Sequence, residues 1–183
     1  MGKVYDRLDD KLIGFIERQK MFFVGTAPLS GEGHVNLSPK GYDSFAILDE
    51  TTVAYLDLGG SGIETVAHVQ ENGRITLMFC AFEGAPNIVR LYGRGEVTTF
   101  DQPGFAALRA RFAQGGRARA VVTVRVTRIS DSCGWGVPFY DFKGERDQLV
   151  RVLAHMPSDK ACAEKFYEGN TASIDGLTGL VRP

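Results

Sequence analysis

A chain of 183 residues, 44% hydrophobic and 23% charged, can bury a real core as one domain or as one domain with a helical appendage. Its formal net charge of -1 gives no bulk attraction to nucleic acid or to an anionic membrane, so any anion-binding site has to be local. No apolar run is long enough to cross a bilayer.

The opening Met1-Gly2-Lys3-Val4-Tyr5-Asp6 lacks the charged-then-apolar layout of a signal peptide, and Asp6 stands where a myristoylation signal has Ser or Thr. Cys80, Cys133 and Cys162 are scattered, which suits reduced thiols better than a disulfide framework or a zinc site. The cytoplasm is the expected compartment.

Asp9 to Gln19 reads as a short amphipathic helix, with Leu8, Leu12, Ile13 and Ile16 near one face and Asp6 or Asp9 as its cap. Met21 to Ala27 is strand-like, Pro28 to His34 is a turn, and Val35 to Pro39 is the return strand. Phe45 to Leu48 and Val53 to Leu58 form a second hairpin around Asp49-Glu50-Thr51-Thr52. Gly59-Gly60-Ser61-Gly62 follows at once and opens a helix from Ile63 to Glu71, which Asn72-Gly73 ends.

Arg74 to Phe82 is an apolar strand. From Val89 to Thr98 the chain alternates with period two, placing Gly93 and Gly95 on one face, where a backbone or a side chain comes close or the strand bends. Pro103 to Phe112 is a helix, and Val122 to Thr127 is a last alternating strand. Glu145 to His155 and Ser158 to Glu168 are helices separated by Pro157. The tail from Gly169 has turn chemistry and no strong periodicity. Hairpin-linked strands with few helices predict an antiparallel barrel rather than a doubly wound sheet.

Few residues carry a chemical signal. Gly59-Gly60-Ser61-Gly62 lacks Rossmann spacing, but a helix start offers free N–H groups and glycines admit a phosphate to the backbone. The plain alternative is a turn with Ser61 as the helix cap. In Ser38-Pro39-Lys40-Gly41, Lys40 either reaches an anion from a strand end or is a solvated surface charge. Arg74 either closes over a phosphate or holds a helix C-terminus through the dipole.

His68, mid-helix, is a packing residue or a site residue, and the three histidines share no metal-ligand spacing. Trp135, in Cys133-Gly134-Trp135-Gly136-Val137-Pro138, either covers a planar ligand or plugs the barrel end. No activated nucleophile is visible, and Cys133 has no neighbouring cations to lower its pKa.

Together these segments resemble the pyridoxamine 5'-phosphate oxidase-related family of FMN-binding split barrels, over about Phe22 to Thr99. VAYLDLGGSG followed by a helix and ENGRITLMF, within Val53 to Phe79, is similar to the family's strand, phosphate-binding turn, helix and next strand, with Gly73 in place of a proline. LYGRGEV, Leu91 to Val97, is similar to the strand after it.

The resemblance implies a mainly β, six-stranded antiparallel split β-barrel with flanking helices and a helical C-terminal segment. Residues 1–130 would form the barrel, and residues 131–183 a loop and helices packed on the same domain. It implies FMN as cofactor, a small-molecule substrate, and a homodimer with flavin at the interface.

Carried over by position, Lys40 matches a flavin-contacting lysine and Ser61 lies near a phosphate-binding serine. The implied cofactor-binding set is Ser38, Lys40, Gly60, Ser61, Gly62, Thr65, His68, Arg74 and Trp135. Four further positions depart from the family pattern. Gly62 and Ile63 replace an Arg-Lys pair, Thr65 stands where one register puts the lysine, and Val35 replaces an arginine. With these charge-assisted bonds missing, the backbone N–H groups, Ser61 and Thr65 would carry more of the binding.

The reading that follows is an FMN-dependent oxidoreductase in which the flavin carries the redox chemistry. The alternatives are a non-catalytic flavin- or haem-binding module and a relative that uses the deazaflavin F420.

Overall fold

A computed structural model describes residues 2–113 and 117–182. Met1 of the opening hexapeptide and Pro183 of the tail lie outside the described residues. The strands, in chain order, are β1 (Val4–Tyr5), β2 (Phe22–Thr26), β3 (Asn36–Lys40), β4 (Phe45–Asp49), β5 (Thr52–Asp57), β6 (Arg74–Cys80), β7 (Ile88–Thr99) and β8 (Ala120–Ser132). The helices are α1 (Asp10–Glu17), α2 (Glu64–Asn72), α3 (Phe105–Arg109), α4 (Gln148–Ala154) and α5 (Asp159–Glu168).

Eight strands, all paired antiparallel, form one open sheet in the order β3-β2-β6-β7-β8-β5-β4, with β1 on β8. The expected number was six. β8 runs for 13 residues, long enough to pair on one side with β5 and then with β1. A two-residue strand such as β1 has no alternation from which to read it.

β3 and β4 are the two edges of the sheet, yet only residues 41–44 link them, so the sheet has to curl. The link turns through Tyr42 (φ 62) and Asp43 (φ 51), both left-handed without being glycine. Side chains fill the remaining split. Phe22 of β2 lies 5.3 Å from Phe45 of β4, 5.7 Å from Tyr55 of β5 and 5.4 Å from Phe79 of β6, ring centre to ring centre.

Two apolar clusters follow from the period of the strands. Val53 and Tyr55 of β5 point inward with Val24, Leu77, Leu91, Val122 and Val124, joined by Leu12, Phe15 and Ile16 of α1. Ala54 and Leu56 point outward, where Leu153 of α4, Phe166 and Tyr167 of α5, and Leu180 of the tail cover them. The C-terminal helices thus pack on the outside of β5 and β8.

Asp9 caps α1, accepting from the Leu12 N–H at 2.8 Å. Both sequence-level explanations for the paired glycines hold. A Cβ on Gly93 would strike the Arg125 backbone beside a register shift, and one on Gly95 would press on Val69 of α2. All three cysteines are free thiols.

Candidate functional site

The turn after β5 is held from beneath. Asp57, the last residue of β5, meets Arg119, which directly precedes β8. Nη2 donates to Oδ2 at 2.7 Å and Nε at 3.1 Å, with both side chains only 5% exposed. Burial pushes the Asp57 carboxyl up. Arg119, the Lys40 charge and the Gly59 N–H outweigh it, and the pKa ends below the usual carboxylate value.

Arg119 Nη1 also donates to the carbonyl oxygens of Gly62 (2.9 Å) and Gly60 (3.4 Å), and to Asn170 Oδ1 (2.6 Å). Those carbonyls are drawn inward. Among the described residues no acceptor meets the N–H groups of Gly60, Ser61 or Gly62. The helix start is bare as well. The N-cap of α2 is Ile63 and makes no side-chain cap, so Ser61 is not the cap that the plain reading of the turn supposed.

Between this turn and β3 lies a groove of about 430 Å³, lined by His34, Val35, Asn36, Leu37, Ser61, Gly62, Glu64 and Ile174. Its floor is a buried polar network. Asn36 Nδ2 donates to Thr65 Oγ1 at 2.9 Å, and Thr26 Oγ1 lies 3.0 Å from His68 Nδ1. Thr65 and His68 therefore stand behind the groove, not on its surface. Burial lowers the His68 pKa against the opposing pull of Asp175, Glu64 and Glu71, which keeps the ring neutral. The C-terminal tail closes one side, where the Ile174 N–H donates to Glu64 Oε1 at 3.3 Å and Asp175 pairs with His34 at 2.7 Å.

The far end of β3 is different. Ser38 is half-buried opposite Val24, and Lys40, opposite Phe22, opens onto a cleft of about 740 Å³. Phe23, Phe82, Tyr140 and Phe142 supply its apolar walls, with Arg18, Lys20, Lys143 and Arg146 around them. The stretch from Tyr140 to Arg146 is strapped on by Tyr140 N–H to the Phe82 carbonyl (3.1 Å) and by the Tyr42 N–H to Glu145 Oε1 (3.2 Å).

Two sequence-level candidates lie elsewhere. Arg74 donates to the Pro28 carbonyl (2.9 Å) and to Asn72 Oδ1 (3.2 Å), away from the groove, while Arg94 takes the Asn72 carbonyl at the end of α2 (2.7 Å). The helix-end role considered for Arg74 is thus filled by its neighbour across the β6–β7 pair. Trp135 is 83% exposed and lines neither cleft, so it does not plug the barrel end.

The structure therefore brings Ser61 and Gly62 to one groove beside open Gly60, puts Thr65 and His68 beneath it, and sets Lys40 at the other end of the same strand. Asp57, Arg119, Asn36 and Glu64 were missed. One signal was present: Asp57 has the parity of Val53 and Tyr55, so an acid stands at an inward position of a strand and needs a buried partner.

The donor set of the groove suits an anion or a hydroxyl group. The lining contains the carboxylate of Glu64 and neither lysine nor arginine, so a phosphate there would rest on the backbone N–H groups and Ser61 without a charged side chain to assist.

Comparison with known proteins agrees with this architecture. The fold superposes on the HupZ protein of Group A Streptococcus with a TM-score of 0.53 at 21% identity, covering 73% of this chain and 99% of that one. A candidate pyridoxamine 5'-phosphate oxidase from Lactobacillus delbrueckii gives 0.51 at 17% identity, covering 68% and 94%. At these identities the likeness concerns the fold alone.

The sequence is closer to a pyridoxamine 5'-phosphate oxidase family protein of Aspergillus flavus, ustO, at 37% identity over 96% of this chain and 77% of the relative. The sequence model of the pyridoxamine 5'-phosphate oxidase family matches residues 8–133, most of the chain and all of the sheet except β1. On the strength of that match and of the fungal relative, the chain belongs to the pyridoxamine 5'-phosphate oxidase family.

Proposed function

We propose that the protein is a flavin-dependent oxidoreductase acting on a small molecule, with FMN lying along β3. The observation that carries this is the row of unpartnered N–H groups on the turn above the Arg119 bracket, where Ser61 and Gly62 line the groove and Gly60 lies beside it. These donors, the Ser61 hydroxyl and the uncapped first turn of α2 would hold the phosphate end. Ser38 and Lys40 would contact the flavin further along the strand, with Lys40 set to donate to a flavin oxygen. The bound flavin would supply electron transfer. The protein's share is to hold it, orient it and exclude water.

The chain would work as a homodimer. Phe23, Leu37, Pro39, Met78 and Tyr92 share one sheet face by register and remain partly or fully exposed, a surface that a second copy can cover. No helix among the described residues is long and apolar enough to cross a membrane, and the free thiols fit a reducing cytoplasm.

The test is the absorption spectrum of the purified protein, followed by anaerobic addition of a nicotinamide reductant. A flavin spectrum that bleaches supports the proposal. A Soret band, or a colourless protein that does not quench added flavin, contradicts it. Light scattering should give the mass of a dimer at micromolar concentration, and a monomer would remove the interface.

A further inference from the structure

Gly62 has no side chain, and the space a Cβ would take there is held by the carboxylate of Glu64. That carboxylate is fixed from the far side, where Oε1 accepts the Ile174 N–H at 3.3 Å. The imidazole nearest along the rim, His34, is engaged with Asp175 at 2.7 Å. The turn therefore offers backbone donors and one hydroxyl together with a fixed negative charge. Such a set serves a polyol well, because hydroxyl groups both donate to a carboxylate and accept from N–H groups. It serves a dianion poorly. At an effective dielectric of about 20, two like charges about 5 Å apart repel enough to cost more than a tenfold in affinity.

We propose that Glu64 is a specificity-determining residue that sets this groove against a doubly charged phosphate, so that riboflavin binds nearly as well as FMN. The inference rests on the flavin reading above and adds which form of flavin the groove selects. The competing role for Glu64 is purely structural, because an acid in the first turn of a helix interacts favourably with the helix dipole. In that role its removal would lower stability and leave the choice between flavins unchanged.

The test is a fluorescence-quenching titration of the full chain, Glu64→Gln and Glu64→Ala with FMN and with riboflavin at low ionic strength. Circular dichroism would confirm that each variant is folded. Gln keeps an oxygen for the Ile174 N–H, and Ala guards against a Gln-specific contact. The expected result is a parent protein whose two dissociation constants lie within about tenfold of each other. In both variants the affinity for FMN relative to riboflavin should rise by about tenfold or more, since the lost hydroxyl acceptor is common to both flavins and the repulsion is not. A parent protein that prefers FMN by more than about a hundredfold, or variants that move both flavins alike, would overturn the role of Glu64 and leave the flavin site standing. Failure of either flavin to bind any of the three proteins would overturn the flavin reading and this inference together.

Discussion

At one end of β3, Gly60, Ser61 and Gly62 offer backbone donors on a turn fastened from below by a buried arginine, with Glu64 as the only fixed charge in the lining. At the other end, Lys40 stands among aromatic rings and four further cations, beneath a stretch of chain held on by one backbone hydrogen bond to Phe82 and one from the Tyr42 N–H to the Glu145 carboxylate. The first end is rigid and directional but poor in positive charge. The second sets five cations against Glu83, Asp141 and Glu145, which leaves it net positive, and it is loosely walled. A ligand that lies along β3 should therefore be positioned at the turn and held electrostatically at Lys40. Substitutions at the two ends should then fail in different ways.

The largest effect is expected from Arg119→Met, which strips the turn of its bracket and leaves Asp57 buried without its ion-pair partner. Breaking such a pair costs about 3–5 kcal/mol, and urea denaturation should read it as a lowered midpoint. The pair also predicts a pH signature. The folded Asp57 pKa lies below its ordinary value, so its stabilisation is present above about pH 4 and is lost as pH falls through the folded value. In Arg119→Met burial is opposed only by the Lys40 charge and the Gly59 N–H, so this acid-side loss should weaken. A variant as stable as the parent would mean that the turn does not depend on its bracket.

Gly62→Val comes next. Gly62 sits at φ +82, where a β-branched residue is strained, and the new side chain would displace the Glu64 carboxylate. A stability loss of roughly 1–3 kcal/mol is expected, with FMN binding weakened more than global stability. Equal FMN affinity in the variant would place the phosphate elsewhere.

Lys40→Ala sharpens the contrast at the opposite end. It should leave the denaturation midpoint almost unchanged and weaken both FMN and riboflavin by roughly 1–3 kcal/mol. Loss for FMN alone would put Lys40 on the phosphate and reverse the proposed direction of the flavin. Ser61→Ala should have the smallest effect, about 0.5–1.5 kcal/mol for FMN with riboflavin almost untouched. Weakening of both flavins alike would mean that Ser61 shapes the turn and does not contact the phosphate.

Most of the strands and helices were legible because period-two and helical patterns are local. β7 alternates in sequence from Val89 to Thr98, and α1 displays its apolar face and its cap within a few residues. What alternation does not encode is the partner of each strand. Arg119 lies 62 residues from Asp57 in sequence, and the Asp175 carboxylate that meets His34 lies 141 away. The C-terminal tail has no strong periodicity, yet its Leu180 is buried against the outer face of β5 and its Ile174 fixes Glu64. The glycine turn was visible as a possible anion site from composition. The charge that opposes an anion there was not, because a first-turn acid reads as ordinary helix chemistry until Gly62 is seen beside it.

The placement of the cofactor is tested most directly by amide NMR of the isotopically labelled protein during titration with FMN. The proposed groove predicts the largest shifts at the amides of Gly60, Ser61 and Gly62, accompanied by Asn36, Leu37, Ser38 and Lys40 along β3. Shifts confined to Phe82 and the Tyr140 to Arg146 stretch, or no shift at saturating FMN, would contradict it.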